Sequence, residues 1–528
     1  MLPALAALLL SAPYADLRKL AQPGLDAIHA DALSAHVRFL ADDALEGRGT
    51  GTRGYDIAAR YFATELQSMG YQPAGENGTW FQTVPLVGMT VQPEKCALEV
   101  DGKPFKYGDE VIFADRGGSG GDDVSGEVVF AGYAIGAPEY GYDDLPADLR
   151  GKIALVLFGA PKAGWDSAAS AVYSDIVEKT RRLAKRGALG IILVITPEVE
   201  KHLPFPFFAR QAPFETMAWK EGSVPGNASV LPGARVPSST LQRFVGDRAA
   251  QLFADGPAGK LKPFATGKKA RLVTSYAVRD LTSVNVAGVL PSGPENVVIT
   301  AHLDHLGIGP AMKGDTIYNG ARDNAAGAAS VLEMARGFAA VQRKLPRSVV
   351  VVAVTGEEKG LQGSQYFARH PTVPKQSIIA DVNVDAPALH WDPHDMVVLG
   401  ADHSTLQRAV TAALSAQGLK QSPDPEPEQV FFIRSDQYSF VREGIPSVHP
   451  TSGWQDERGD IAKNKALDAW WTKERYHQPS DEWEAGAEWK GLERQVRADF
   501  LIALAVVLDP DRPKWNDGDV FGKMFGGR

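Results

Sequence analysis

Imidazole and carboxylate side chains recur through the second half of this chain, mostly where apolar runs end. "AHLDHLG" carries His302, Asp304 and His305, "NGARDNAAG" carries Asp323, "TGEEKGLQGS" carries Glu357 and Glu358, "NVDAP" carries Asp385, and "RYHQPSDEW" carries Tyr476 and His477. Nitrogen and oxygen donors mixed in this way suit a borderline divalent cation such as Zn²⁺. The adjacent glutamates two residues after "SVVVVAV" make the sharpest demand, because two like charges at the exit of a buried strand call for a cation. One carboxylate of such a pair can bind a metal while the other faces its open position and takes a proton from water there.

Taken singly, each motif also has a plain structural use. His302 and Asp304, two apart, share a face in an extended segment. The simplest division makes His302 a ligand and Asp304 the partner that holds its ring in one tautomer, with His305 pointing elsewhere. Asp323 or Asn324 can equally cap the helix that follows. In an extended strand exit the side chains of Glu357 and Glu358 diverge, which allows them two different roles. Asp381, Asn383 and Asp385 alternate with Val382 and Val384, so three polar groups on one strand face need partners. Tyr476 can donate a hydrogen bond to a developing oxyanion. His477 alone reads as a surface histidine and gains weight from its company.

The elements that must position these residues follow from hydrophobic pattern. After about residue 276, apolar strands alternate with amphipathic helices: "NVVITAHLDH", "AAGAASVLEMARGFAAV", "RSVVVVAVTGEE", "SIIADVNVDA". That alternation implies an α/β sandwich, in which ligands gather at the carboxyl ends of the strands. Residues 16–112 begin as helix, with Ile57, Tyr61 and Leu66 near helical spacing and Gly70 as a stop, while "EGRGTGTRG" is a loop. Residues 113–275 are richer in glycine and proline, with short strands such as "GEVVFAGYAI" and "GKIALVLFG". There "TRRLAKRGALGIILVI" reads as a helix that stops at Gly187 and feeds a strand. This stretch is expected to be a compact β-rich module inserted into the larger domain, leaving 276–512 as the catalytic part and 513–528 as a tail.

The first fifteen residues, "MLPALAALLLSAPYA", resemble a secretory leader without the usual basic start. They point to a periplasmic or secreted location, with the cytoplasm as the alternative. No later segment has the apolar length of a membrane span. With 55 basic and 64 acidic residues the net charge is −9, and the absence of a basic stripe argues against a nucleic-acid partner. The single cysteine, Cys96, excludes an internal disulfide framework without fixing the compartment.

In joint order, "AHLDHLG", "NGARDNAAGAA", "TGEEKGLQGS", "NVDAP", "RSDQYSFVREGIPS" and "RYHQPSDEW" resemble the co-catalytic di-zinc aminopeptidases of metallopeptidase family twenty-eight, relatives of glutamate carboxypeptidase II. The opening "ADDALEGRGTGTRGYDIAARYFATEL" is similar to the family's first segment, and 113–275 resembles an inserted protease-associated domain. The resemblance implies a three-layer α/β/α sandwich with a mixed, mostly parallel sheet, and two Zn²⁺ per chain. It places His302 and Asp385 on one zinc, Glu358 and His477 on the other, and Asp323 between them. It makes Glu357 the general base, Tyr476 a stabiliser of the tetrahedral intermediate and Arg434 a substrate-binding residue. The implied reaction is release of N-terminal residues from peptides by attack of a metal-bridging water. A glutaminyl cyclase or a carboxypeptidase of the same fold is the alternative. A non-catalytic binding protein, like the related transferrin receptor, would be expected to lack ligands, and none is missing here. Oligomeric state and side-chain preference are not encoded legibly.

Overall fold

The computed structural model describes residues 14–114, 117–221, 224–225 and 229–526. Most of the stretch read as a leader, residues 1–13, lies outside the described residues. The chain divides into two compact units, residues 1–84 with 282–528, and residues 85–281.

The first unit opens with α1 (Leu17–Leu25), α2 (Ala30–Leu40) and α3 (Arg53–Ser68). Its sheet takes residues 282–290 from β1 (Phe264–Leu290), followed along the chain by β2 (Asn296–His302), α4 (Ala326–Val341), β3 (Ser348–Val354), α5 (Gln362–Arg369) and β4 (Ile378–Asn383). Then come β5 (Asp395–Leu399), α6 (Leu406–Gln417), β6 (Lys420–Ser422), α7 (Gln437–Arg442), β7 (Ser447–Ser452), α8 (Ala462–Glu474) and α9 (Trp489–Leu508). The spatial order is β1-β3-β2-β4-β7-β5-β6. The four central strands β3, β2, β4 and β7 are parallel, while β1 and β5 run against their neighbours β3 and β7.

The unbroken valines of β3 now have a physical reason. Successive side chains of a strand point to opposite faces, so a strand covered on both sides is apolar throughout. Val349, Val351 and Ala353 join Val297, Ile299 and Ala301 in the core beneath α1–α4, α6 and α9. Val350, Val352 and Val354 face the other way with Val298, against Phe367 of α5 and Phe440 of α7. The result is the expected three-layer sandwich with a mixed, mostly parallel sheet. In α3 the buried face runs through Tyr55, Ala58, Ala59, Phe62 and Leu66, so Ile57 and Tyr61 flank it.

In the second unit the parallel strands Gly121–Phe130, Lys152–Leu157, Gly190–Val194 and Gly233–Val236 lie side by side in that order. The helix Ile176–Lys185 ends before Gly187, whose φ of 87° is left-handed, and the chain then enters Gly190–Val194. This unit begins at 85, whereas composition changes near 113. The strand Ala97–Val100 pairs with residues 270–273, and such a distant pairing leaves no local mark. No helix among the described residues is long and apolar enough to cross a membrane.

Candidate metal centre

The strand ends deliver the donors. His302 is the last residue of β2, in register with Val354 at the end of β3. Beyond Val354 the backbone leaves the sheet at Gly356, whose φ is 67°, and Glu357 and Glu358 sit in the turn that follows. They therefore diverge because of a turn, and not along an extended exit as the sequence suggests. Asp385 lies two residues past β4. Asp323 occupies the turn Ala321–Ala325 before α4, where the Asp323–Asn324 peptide bond is cis. His477 follows α8 in a left-handed conformation, φ 54°. A non-glycine residue is strained there, as functional residues often are.

These five side chains converge in two halves that share Asp323. His302 Nε2 is 3.2 Å from Asp385 Oδ1 and 3.3 Å from Asp323 Oδ1. His477 Nε2 is 3.1 Å from Glu358 Oε2 and 3.2 Å from Asp323 Oδ2. One oxygen of Asp323 thus addresses each half. Asn324, not Asp323, takes the capping part: its Oδ1 accepts from Gly327 N at 2.9 Å and from Ala386 N at 3.1 Å.

Two expectations about "HLDH" need correction. The ring of His302 is oriented by the backbone of Asp304, with Nδ1 3.0 Å from its carbonyl oxygen and 3.9 Å from its carboxylate. The carboxylate instead accepts from Thr50 Oγ1 at 2.9 Å and from Glu357 N at 3.2 Å, so Asp304 fixes the turn that carries Glu357. His305 does not point elsewhere, since its Nδ1 lies 2.7 Å from Glu358 Oε1. A backbone free of Cβ lets that ring in: a Cβ on Gly320, where φ is 60°, would stand 2.5 Å from His305 Cγ.

Two buried residues that sequence reasoning passed over hold the loops in place. Arg48, in the glycine-rich "EGRGTG", donates to the carbonyls of Leu303, Asn319 and Gly320 at 2.9, 2.7 and 2.9 Å, and also to Leu40. Asp481, in "RYHQPSDEW", accepts from Arg322 N and Asp323 N at 3.1 Å each and from Trp471 Nε1 at 3.3 Å. Arg322 in turn lies 4.0 Å over the Trp471 ring and donates to Asp468 at 2.9 Å. The only signal for either residue was its place inside a quoted motif. Beneath the site, Thr300 donates to Asp381 at 2.9 Å, and Asn383 donates to Ser435 and Gln437 at 2.8 Å each. The polar strand face "DVN" thereby finds partners, while Asp381 Oδ2 has none among the described residues.

The electrostatics follow from burial opposed by neighbours. Burial lowers the His477 imidazole, yet Glu358 and Asp323 push it up to about 10. Burial likewise opposes charge on His302, but Asp385 and Glu357 hold it well above the ordinary range. Burial raises Asp323 and Glu358, and the imidazoles outweigh it, so both sit well below the carboxylate range. Glu357 goes the other way: burial, with Asp385 and Glu358, holds its carboxyl well above the usual range against the pull of His302.

Zinc fits these residues. Each half mixes imidazole nitrogen with carboxylate oxygen, and Glu358 Oε1 is buried facing His305 Nδ1 with no hydrogen bond among the described residues. A buried anionic oxygen in that position calls for a cation.

Around the donors, Tyr476 stacks on His477 with ring centroids 3.9 Å apart. Burial and Asp323 keep its hydroxyl protonated far into alkaline pH. Arg434 is exposed, 5.1 Å over Phe431, and its charge reaches the Tyr476 hydroxyl. In the same "RSDQYSF" segment Asp436 is fully buried, and burial pushes its carboxyl up to about 7. Trp471 is buried, whereas Trp470 is 39% exposed beside His390, with ring centroids 5.3 Å apart.

Residues 285–501 match the model of Peptidase family M28. An aminopeptidase from Aneurinibacillus sp. strain AM-1 is similar in structure, with a TM-score of 0.54 and 19% identity over 94% of this chain and 97% of that one. A zinc aminopeptidase from Bacillus subtilis shows a TM-score of 0.47 and 18% identity over 91% and 95% of the two chains. A Peptidase M28 precursor from Shewanella amazonensis SB2B shows 0.43 and 17% over 96% and 99%. The first likeness shows that the fold is shared.

Proposed function

Because residues 285–501 of this chain belong to peptidase family M28, we propose that it is a zinc-dependent aminopeptidase that holds two zinc ions and releases N-terminal residues from peptides. The observation that carries this reading is the position of Asp323, with one oxygen 3.3 Å from His302 Nε2 and the other 3.2 Å from His477 Nε2. His302 and Asp385 would hold one ion, Glu358 and His477 the other, and Asp323 both. When bound, such ions polarise a carbonyl and make water acidic enough to attack near neutral pH.

The remaining chemistry belongs to side chains of this chain. Glu357 is positioned by Asp304, which accepts its backbone N–H at 3.2 Å. Its carboxylate, with proton affinity raised by burial, takes the proton of the attacking water and passes it to the leaving amine. The protonated Tyr476 hydroxyl donates to the oxyanion that forms on the substrate. Arg434, exposed and close enough for its charge to act on Tyr476, attracts substrate carboxyl and carbonyl groups. The apolar opening stretch makes export part of the proposal, and cell fractionation tests it. A protease-associated role for residues 113–275 is a further part of the proposal, supported by their resemblance to such a domain.

The test is hydrolysis of aminoacyl-nitroanilides, and of peptides blocked at either end, before and after chelation. Activity that needs a free amino terminus, vanishes with chelator and returns with zinc at two ions per chain is the expected result. A ratio near one with cyclisation of N-terminal glutamine, or a demand for a free carboxyl terminus, would overturn it.

A further inference from the structure

His305 is fully buried, and nothing in the proposed reaction uses it. Its Nδ1 stands 2.7 Å from Glu358 Oε1, yet both atoms lack a hydrogen-bond partner among the described residues. Polar atoms this close that are not bonded to each other are arranged like two donors facing one cation. The same relation holds a little further out for the neighbouring pairs, with His477 Nε2 at 3.1 Å from Glu358 and 3.2 Å from Asp323. His305, Asp323 and Glu358 each offer an atom within 4.8 Å of the others. The two imidazoles beside these carboxylates have ring centroids 5.7 Å apart and planes inclined by 73°.

We propose that His305 is a direct ligand of the second metal through Nδ1. That half then has four protein donors, His305, Asp323, Glu358 and His477, against three in the half built from His302, Asp323 and Asp385. The inference rests on the two-metal reading above and deepens it by making the two positions unequal. Zinc sites closed by four protein donors are characteristically structural, whereas three donors leave a position for water or substrate. The second half is accordingly the tighter site, filled first and exchanged last. The first half is the one that keeps room for the substrate carbonyl. The ring packs closely against Gly320, where even a methyl group would collide with it.

X-ray absorption on the wild-type protein loaded with two zinc ions needs no variant. It is expected to count three imidazoles shared between the two metals. Two imidazoles would overturn the inference while leaving the two-metal reading intact, and failure to take up two metals would overturn both. Cobalt titration of the metal-free protein and of His305→Ala supplies the second readout. In the variant the tighter site should weaken by at least roughly tenfold and its visible absorption bands should shift, as loss of a nitrogen ligand requires. A variant whose cobalt spectrum and two affinities superimpose on the wild type would show that His305 is not a ligand.

Discussion

Replacing Asp481 by Asn probes whether the site depends on the loop that carries Asp323. The Asp481 carboxylate is 3% exposed, and both of its oxygens accept hydrogen bonds. Oδ2 accepts from Arg322 N and Asp323 N at 3.1 Å, and Oδ1 accepts from Trp471 Nε1 at 3.3 Å and shares Arg322 N at 3.2 Å. An amide can keep its oxygen toward the backbone pair, but its NH₂ then faces the indole N–H, donor against donor. Leaving one buried donor unsatisfied costs about 1–3 kcal/mol. Each 1.4 kcal/mol or so is tenfold in an equilibrium constant, so zinc uptake should weaken by roughly 5- to 150-fold if the strain falls on the Asp323 turn. Calorimetric zinc titration of the metal-free protein, with thermal melts alongside, reads both quantities. The double variant Asp481→Asn with Trp471→Phe removes the opposing donor and should recover part of the loss, so the two substitutions are not additive. Zinc affinity within twofold of wild type in Asp481→Asn would refute the idea that this carboxylate positions Asp323.

Three further outcomes are expected. Glu357→Gln should retain zinc and melting temperature while kcat falls by about 10²–10⁴-fold, the usual contribution of a positioned base; a loss under about tenfold in that assay would remove Glu357 from that role. Lys179, fully buried and donating to the carbonyls of Tyr133 and Gly159 at 2.5 and 2.6 Å, is lowered by burial from 10.5 to about 7, with Asp144 opposing. Above about 7 the unfolded chain holds the proton that the folded one has released, so stability gained from this group rises with pH up to the unfolded value near 10.5. Urea melts from pH 7 to 10 should therefore show the stability of wild type minus that of Lys179→Met rising with pH, and a flat difference would contradict this. Gly54→Ala would set a Cβ 1.7 Å from the Leu45 carbonyl oxygen, and thermal melts should show a loss of about 1–3 kcal/mol as the loop before α3 is forced away.

Sequence alone determined the layers and the donor types. An unbroken valine run is local information, and only a strand buried on both faces uses one, which is why β3 and its neighbours were legible. Because those strands end in His302, Glu357, Glu358 and Asp385, the place where ligands gather followed as well. What a side chain does after its strand ends was not legible, because turn geometry and distant partners decide it. His305 faces Glu358, and the Asp304 carboxylate holds the Glu357 turn rather than the His302 ring. Arg48 and Asp481 look like ordinary loop charges until segments more than a hundred residues away close around them. The start of the second unit at 85 is equally invisible in composition, since it depends on Ala97–Val100 pairing with residues 270–273. Hydrophobic periodicity acts over a few residues, whereas a buried charge is specified by whatever the fold brings to it.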